Sequence, residues 1–197
     1  MTIRPESMVA AMAPTAKLST TSVIDEAVNI VDQRGYDALT VSAVATELNV
    51  APSALYTYCD GLDGLRNLVA IAATENLTRD VRDAATGAAG ETALNAMAEA
   101  YRDFSLLNSG QFAATLRPPK RDNKDLADAD SALLAVFVLV YGGMGLDPRA
   151  SQRAARSTRS AIHGFLALEH VTGTSPLHSD EYHHLLATLH HGLDHDS

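Results

Sequence analysis

Apolar residues recur along this chain at spacings of three and four, and strand-like alternation is never sustained, so the pattern predicts an all-α protein of about nine helices. The first helix is expected over residues 20–34, where Val23, Ala27, Ile30 and Val31 form one stripe and Gly35 stands in the terminating position. Thr40 has the hydroxyl of an N-cap for a second helix over 41–48, whose apolar face is Val41, Val44, Ala45 and Leu48. Asn49 tolerates the left-handed backbone of a tight turn, and Pro52 suits the first turn of a short third helix carrying Leu55, Tyr56 and Tyr58. Further helices are predicted over 62–84, 91–107, 109–116, 124–141, 148–172 and 180–195, with breaks at 87–90, 108–110, 118–119, 142–143 and 173–176. No stretch of linker composition separates residues 19–66 from the remainder, so the small module is expected to pack rigidly on the larger one.

Composition narrows the class. A hydrophobic content of 46% in 197 residues suits one sizeable helical core or a small module joined to a larger one. The net charge of -9 gives no broad basic surface, so any claim on nucleic acid has to rest on local features. A lone cysteine, Cys59, excludes an intrachain disulfide and fits a reducing compartment. With no basic neighbour in sequence to activate it, Cys59 reads as a small buried residue in preference to a redox switch. Residues 8–16 superficially resemble a secretion signal next to Arg4, but Pro5 and Pro14 interrupt them, and residues 1–18 read as a disordered arm. The longest strongly apolar run, 132–141, falls short of the ~20 residues a membrane span requires and reads as a core helix. A cytoplasmic protein without a membrane partner is the expectation.

A helix of about eight residues, a three-residue turn and a second short helix set the latter across the former at a steep angle, from where it can enter a major groove. Helix pairs of this kind also arise from packing alone. Here the pair carries Gly35-Tyr36, Leu39-Thr40-Val41, Val44-Ala45, Leu48-Asn49-Val50 and Leu55-Tyr56, and in that spacing it resembles the N-terminal domain of TetR-family regulators. Residues 60–66 look like the continuation found in a branch whose C-terminal domain has a His-Gly signature. His163-Gly164-Phe165-Leu166 supplies that signature here, with Tyr101-Arg102-Asp103-Phe104 in a matching upstream region. The resemblance covers most of residues 19–172.

It implies a homodimer that binds a palindromic double-stranded DNA operator through residues 19–66 and is released by a small molecule held in residues 67–197. By the same resemblance Thr40 and Ser42 lie near phosphates, Ala51, Pro52, Ser53, Ala54 and Thr57 face base edges, and Tyr56 and Tyr58 reach the DNA backbone. Packing in the small core is the alternative for the two tyrosines, although neighbouring faces cannot both be buried. Asn49, Ala51, Tyr58 and Cys59 depart from the residues usual in the family. Residues 17–66 hold three basic side chains (Lys17, Arg34, Arg66) against seven acidic ones, so an operator must be read mainly through uncharged contacts, with Arg4 and Lys17 reaching from the arm.

In the larger part Met97, Tyr101, Phe104, Phe112, Phe137, Tyr141 and Phe165 are core by default, and a subset is expected to line an apolar effector cavity with Tyr101, Tyr141 and His163 as polar anchors. His163 fits either that cavity or an interface. Gly164, inside an apolar helix, costs about 1 kcal/mol relative to alanine, which close helix approach would explain. Gly164, Leu168, Leu185 and Leu189 are therefore expected in a four-helix dimer interface built from the last two helices. Five histidines crowd the end of the chain, and His191 and His195 have chelating spacing. No cysteine or carboxylate completes a ligand set, so a solvated helix end is preferred over a metal site, and no cofactor is expected. No nucleophile elbow, phosphate loop or paired carboxylate supports an enzyme. The alternative function is a ligand-binding or protein-interaction dimer with weak or lost DNA binding.

Overall fold

A computed structural model of the chain describes residues 18–116, 123–172 and 179–191. The arm before residue 18, the breaks expected at 118–119 and 173–176, and the last residues of the predicted final helix lie outside the described residues. Among the described residues there are nine α-helices and no strand, which is the all-α class the periodicity predicts.

α1 (Thr20–Arg34) starts on a reciprocal cap, in which Ser19 Oγ accepts from the Ser22 N–H at 3.1 Å and Ser22 Oγ accepts from the Ser19 N–H at 2.9 Å. It stops at Gly35, whose φ of 85° a side chain would oppose. A 3-10 turn (Tyr36–Ala38), absent from the sequence expectation, leads to α2 (Val41–Glu47), and Thr40 Oγ1 accepts from the Ala43 N–H at 3.0 Å as its cap. Asn49, at φ 53°, makes the turn into α3 (Pro52–Leu55). α3 is shorter than expected, so Tyr56 and Tyr58 sit in the turns that follow, where the N–H groups of Tyr58 and Cys59 both donate to the Leu55 carbonyl at 2.8 and 3.0 Å.

α4 (Gly61–Ala85) is the spine of the molecule. Its first half gives Leu65, Val69 and Ala73 to a core closed by α1, α2 and α3. Its second half gives Leu77 and Val81 to a larger core shared with α5 (Gly90–Leu107), α7 (Lys124–Gly143) and α8 (Pro148–Thr172). By length and composition α7 could cross a membrane, yet Leu133, Val136, Phe137 and Tyr141 are buried in the protein's own core. The predicted break at residues 142–143 is corrected: both glycines are helical, and the chain turns at Gly145, φ 93°. Tyr141, buried and hydrogen-bonded to Thr158 at 2.6 Å, anchors this last turn. That anchor outweighs the propensity cost of about 1 kcal/mol per glycine. α9 (Ser179–His191) docks through Tyr182, whose phenol donates to the Ala98 carbonyl at 2.6 Å and whose ring lies 5.1 Å from the Arg102 guanidinium and 5.3 Å from Phe165.

α6 (Ser109–Thr115) joins the two cores. Gly110 lies so close to α1 that a Cβ there would stand 1.9 Å from the Val31 carbonyl oxygen. Beside it the Asp32 carboxylate accepts from the Gln111 backbone N–H at 3.1 Å and from Gln111 Nε2 at 2.7 Å. Gln111 Oε1 in turn accepts from Asn76 Nδ2 at 2.8 Å, so one buried glutamine ties α1, α4 and α6 together.

Candidate functional site

The outer surface of the small module presents Thr40, Ser42, Ala51, Pro52, Ser53 and Thr57 as exposed residues, with Ala54 half-buried and Tyr56 63% exposed. Behind them Val44, Ala45 and Leu55 are buried against α1 and α4, which holds the short α3 in place. Thr40 spends its lone pair on the cap but keeps its O–H for an outside acceptor, and Tyr56 offers a free-standing phenol. Tyr58 differs from the other expected contacts. It is half-buried, and its hydroxyl donates to the Leu18 carbonyl at 3.0 Å, fastening the segment that enters α1. Cys59 is buried, and burial followed by the charge of Asp60 pushes its thiol above the ordinary range, opposite to the shift a reactive thiolate needs.

The two described cations of residues 19–66 are both engaged inside the module. Arg34 pairs with Glu47, and the Arg66 guanidinium lies 5.8 Å from the Tyr36 ring centroid. Neither commitment could be read from spacing. With Arg34 and Arg66 paired in this way, two copies that neutralise phosphates only through Arg4 and Lys17 should show a slope of log K against log salt no steeper than about -4. Operator titration across a salt series checks this, and a markedly steeper slope would contradict the uncharged reading.

In the larger part, Met97, Tyr101, Phe104, Phe112, Phe137 and Tyr141 are all buried and pack against one another, with Phe165 half-buried at the edge. Two concavities border this core. A groove of about 660 Å³ between α4 and α7 is lined by Ile71, Thr78, Ala129 and Ala132 with Glu75, Arg79, Arg82, Asp125 and Asp128 around them. A cleft of about 370 Å³ lies between Asp130, Ser131 and Leu134 of α7 and Arg156, Arg159, Ser160 and His163 of α8. Of the residues expected around a cavity, His163 alone lines either of these two; the aromatics fill the space between helices.

His163 is half-buried, its Nδ1 shares a hydrogen bond with the Tyr101 hydroxyl (2.9 Å), and its ring centroid rests 5.4 Å from that of Phe112. Burial pushes the Tyr101 phenol up to about 12, so it acts as a neutral hydroxyl. Burial, then the charge of Arg159, lowers the His163 pKa. The unfolded chain therefore binds a proton that the folded one resists. The stability this contributes is fully present above the unfolded value of about 6.5 and is lost as pH falls from there towards the folded value. Denaturant unfolding at a series of pH values should show that loss, and His163→Gln should remove its share.

Gly164 and Leu168 lie exposed on α8 beside Val171, while Leu185 and Leu189 are half-buried on α9. A Cβ at Gly164 would meet nothing within 4 Å, so among the described residues no neighbouring helix accounts for the glycine. Among the described residues no group of three His, Cys, Asp or Glu could hold a metal ion; the side chains of His190, His191 and His195 lie outside them.

A capped helix-turn-helix with an outward-facing second helix, packed on a larger helical body, is the arrangement of a DNA-binding regulator. Comparison with known proteins carries this further. The family profile "Bacterial regulatory proteins, tetR family" matches residues 23–65, and "Tetracyclin repressor-like, C-terminal domain" matches residues 94–190. An uncharacterized HTH-type transcriptional regulator of Mycobacterium tuberculosis, Rv0681, is 32% identical over 167 residues, covering 84% of this chain and 77% of its own. Among solved structures, BioQ with its double-stranded DNA operator superposes at a TM-score of 0.64 with 22% identity, over 90% of this chain and 98% of its own. Bacillus subtilis FadR, a transcriptional regulator in complex with stearoyl-CoA, does so at 0.65 with 16% identity, over 87% and 97%. The chain belongs to the TetR family and is a transcriptional regulator, not an enzyme.

Proposed function

We propose that this protein is a cytoplasmic, dimeric repressor whose residues 19–66 grip a palindromic operator and whose residues 67–197 bind a small molecule that releases it. The observation that carries the reading is the exposed polar and small-residue surface of Thr40, Ser42, residues 51–53, Tyr56 and Thr57, held outward by a helix pair whose inner face, Val44, Ala45 and Leu55, is buried. Dimerisation through α8 and α9 is supported by exposed Gly164, Leu168 and Val171. In the gripping state the two α3 helices stand one turn of DNA apart, ~34–36 Å.

Release requires the effector to bind a second state more tightly than the gripping one. Displacement of α4 supplies such a state, because α4 belongs to both cores and α6 ties it to α1 through Gln111. The ligands carried by BioQ and FadR, an operator and an acyl thioester, match the two halves of this reading at the level of class. A mobility-shift assay with the DNA upstream of the protein's own gene tests it. A discrete complex of two protomers is the expected result. The absence of any specific complex favours the alternative of a ligand-binding dimer that no longer uses DNA.

A further inference from the structure

The cleft between α7 and α8 belongs neither to the DNA face nor to the packed aromatic core. Arg156, Arg159 and His163 recur at spacings of three and four, which puts them on one face of α8, opposite Asp130 and Ser131 of α7. Arg159 is largely committed: its Nη2 donates to Asp130 Oδ1 at 2.6 Å and its Nη1 to the Asp130 carbonyl at 3.5 Å, and its charge lies near the buried Tyr101 phenol. Arg159 thus neutralises Asp130. Arg156 is exposed and joins no ion pair among the described residues, which leaves the cleft with one net positive charge in a chain of net charge -9. Ser160 adds a hydroxyl beside it, while the Ser131 hydroxyl donates to the Ala127 carbonyl at 2.8 Å. The two guanidinium groups and the Ser160 hydroxyl give the cleft donors of the kind that match carboxylate and phosphate oxygens.

We propose that the α7–α8 cleft is an anion-binding subsite in which Arg156 and Arg159 hold the carboxylate or phosphate of a small molecule. That this anion is the effector rests on the regulator reading above; its occupancy of the cleft does not. An anion there draws on the guanidinium that pairs with Asp130 beside Tyr101 of α5, a helix that packs along the α4 spine.

Calorimetric titration of the full-length protein with octanoate, octanamide and inorganic phosphate tests the cleft. Saturable binding of octanoate or of phosphate, with none for octanamide, is expected, and whichever anion binds identifies the head group. Arg156→Gln removes an exposed, unpaired side chain, so it should leave the melting temperature unchanged and weaken anion binding about tenfold or more. Arg159→Lys, which keeps the charge and loses the fork, should weaken it as well. Failure of both anions to bind, equal binding of octanamide, or full affinity in Arg156→Gln overturns the proposal. Operator affinity measured alongside separates the two readings. Arg156-dependent anion binding that leaves operator affinity unchanged upholds the cleft and removes the effector role. Specific operator binding without anion binding removes the cleft and leaves the regulator standing.

Discussion

Gly110→Ala is expected to destabilise the protein by about 3 kcal/mol or more, the upper end of what overpacking costs. The added methyl would stand 1.9 Å from the Val31 carbonyl oxygen, a backbone atom that no rotamer change can move aside. α6 must then shift away from α1, which breaks both hydrogen bonds between Gln111 and Asp32 and loosens Asn76 on α4. Chemical denaturation measures the first effect. Operator affinity measures the second, since the DNA-reading module loses its seat on the body. Gly143→Ala is the control: with nothing within 4 Å of its Cβ, it should gain up to about 1 kcal/mol from helix propensity. Wild-type stability in Gly110→Ala would mean that α1 and α6 are not held as closely as the fold requires.

The second large effect is expected at Tyr56. Its ring is 63% exposed, so Tyr56→Ala should change unfolding free energy by no more than about 0.5 kcal/mol, the range of ordinary surface substitutions. Operator affinity should nevertheless fall about tenfold or more, because a surface poor in cations depends on each hydroxyl and ring that meets the DNA. Tyr58→Phe should behave in the opposite way. It loses the bond to the Leu18 carbonyl, costing about 1 kcal/mol of stability, with a smaller effect on the operator. Equal operator affinity in Tyr56→Ala and wild type would remove this residue from the DNA face.

The small module was largely legible in the sequence because local chemistry determines it. Gly35, Thr40, Asn49 and Pro52 each do in the structure what their backbone preferences and capping groups imply. Gly142 and Gly143 misled, since glycine permits a helix to stop without requiring it, and the buried Tyr141 decided the outcome from a distance. Contacts between remote residues left no local signal. Asp32 and Gln111 stand 79 positions apart, and Tyr101 and His163 stand 62 apart. The aromatic stripe was legible as apolar, but periodicity reads the same whether a ring fills a core or borders a cavity. The α7–α8 cleft escaped notice for a related reason: Arg156 and Arg159 look like an ordinary solvated helix face until Asp130 is placed opposite them.

Selection of bound sequences from random DNA, followed by sedimentation of the purified complex, tests most directly whether two copies of this acidic chain read DNA through paired short helices. The predicted result is an inverted repeat with half-sites about one helical turn apart, carrying two protomers. Enrichment of no sequence, or a single protomer on a site without a repeat, would contradict it.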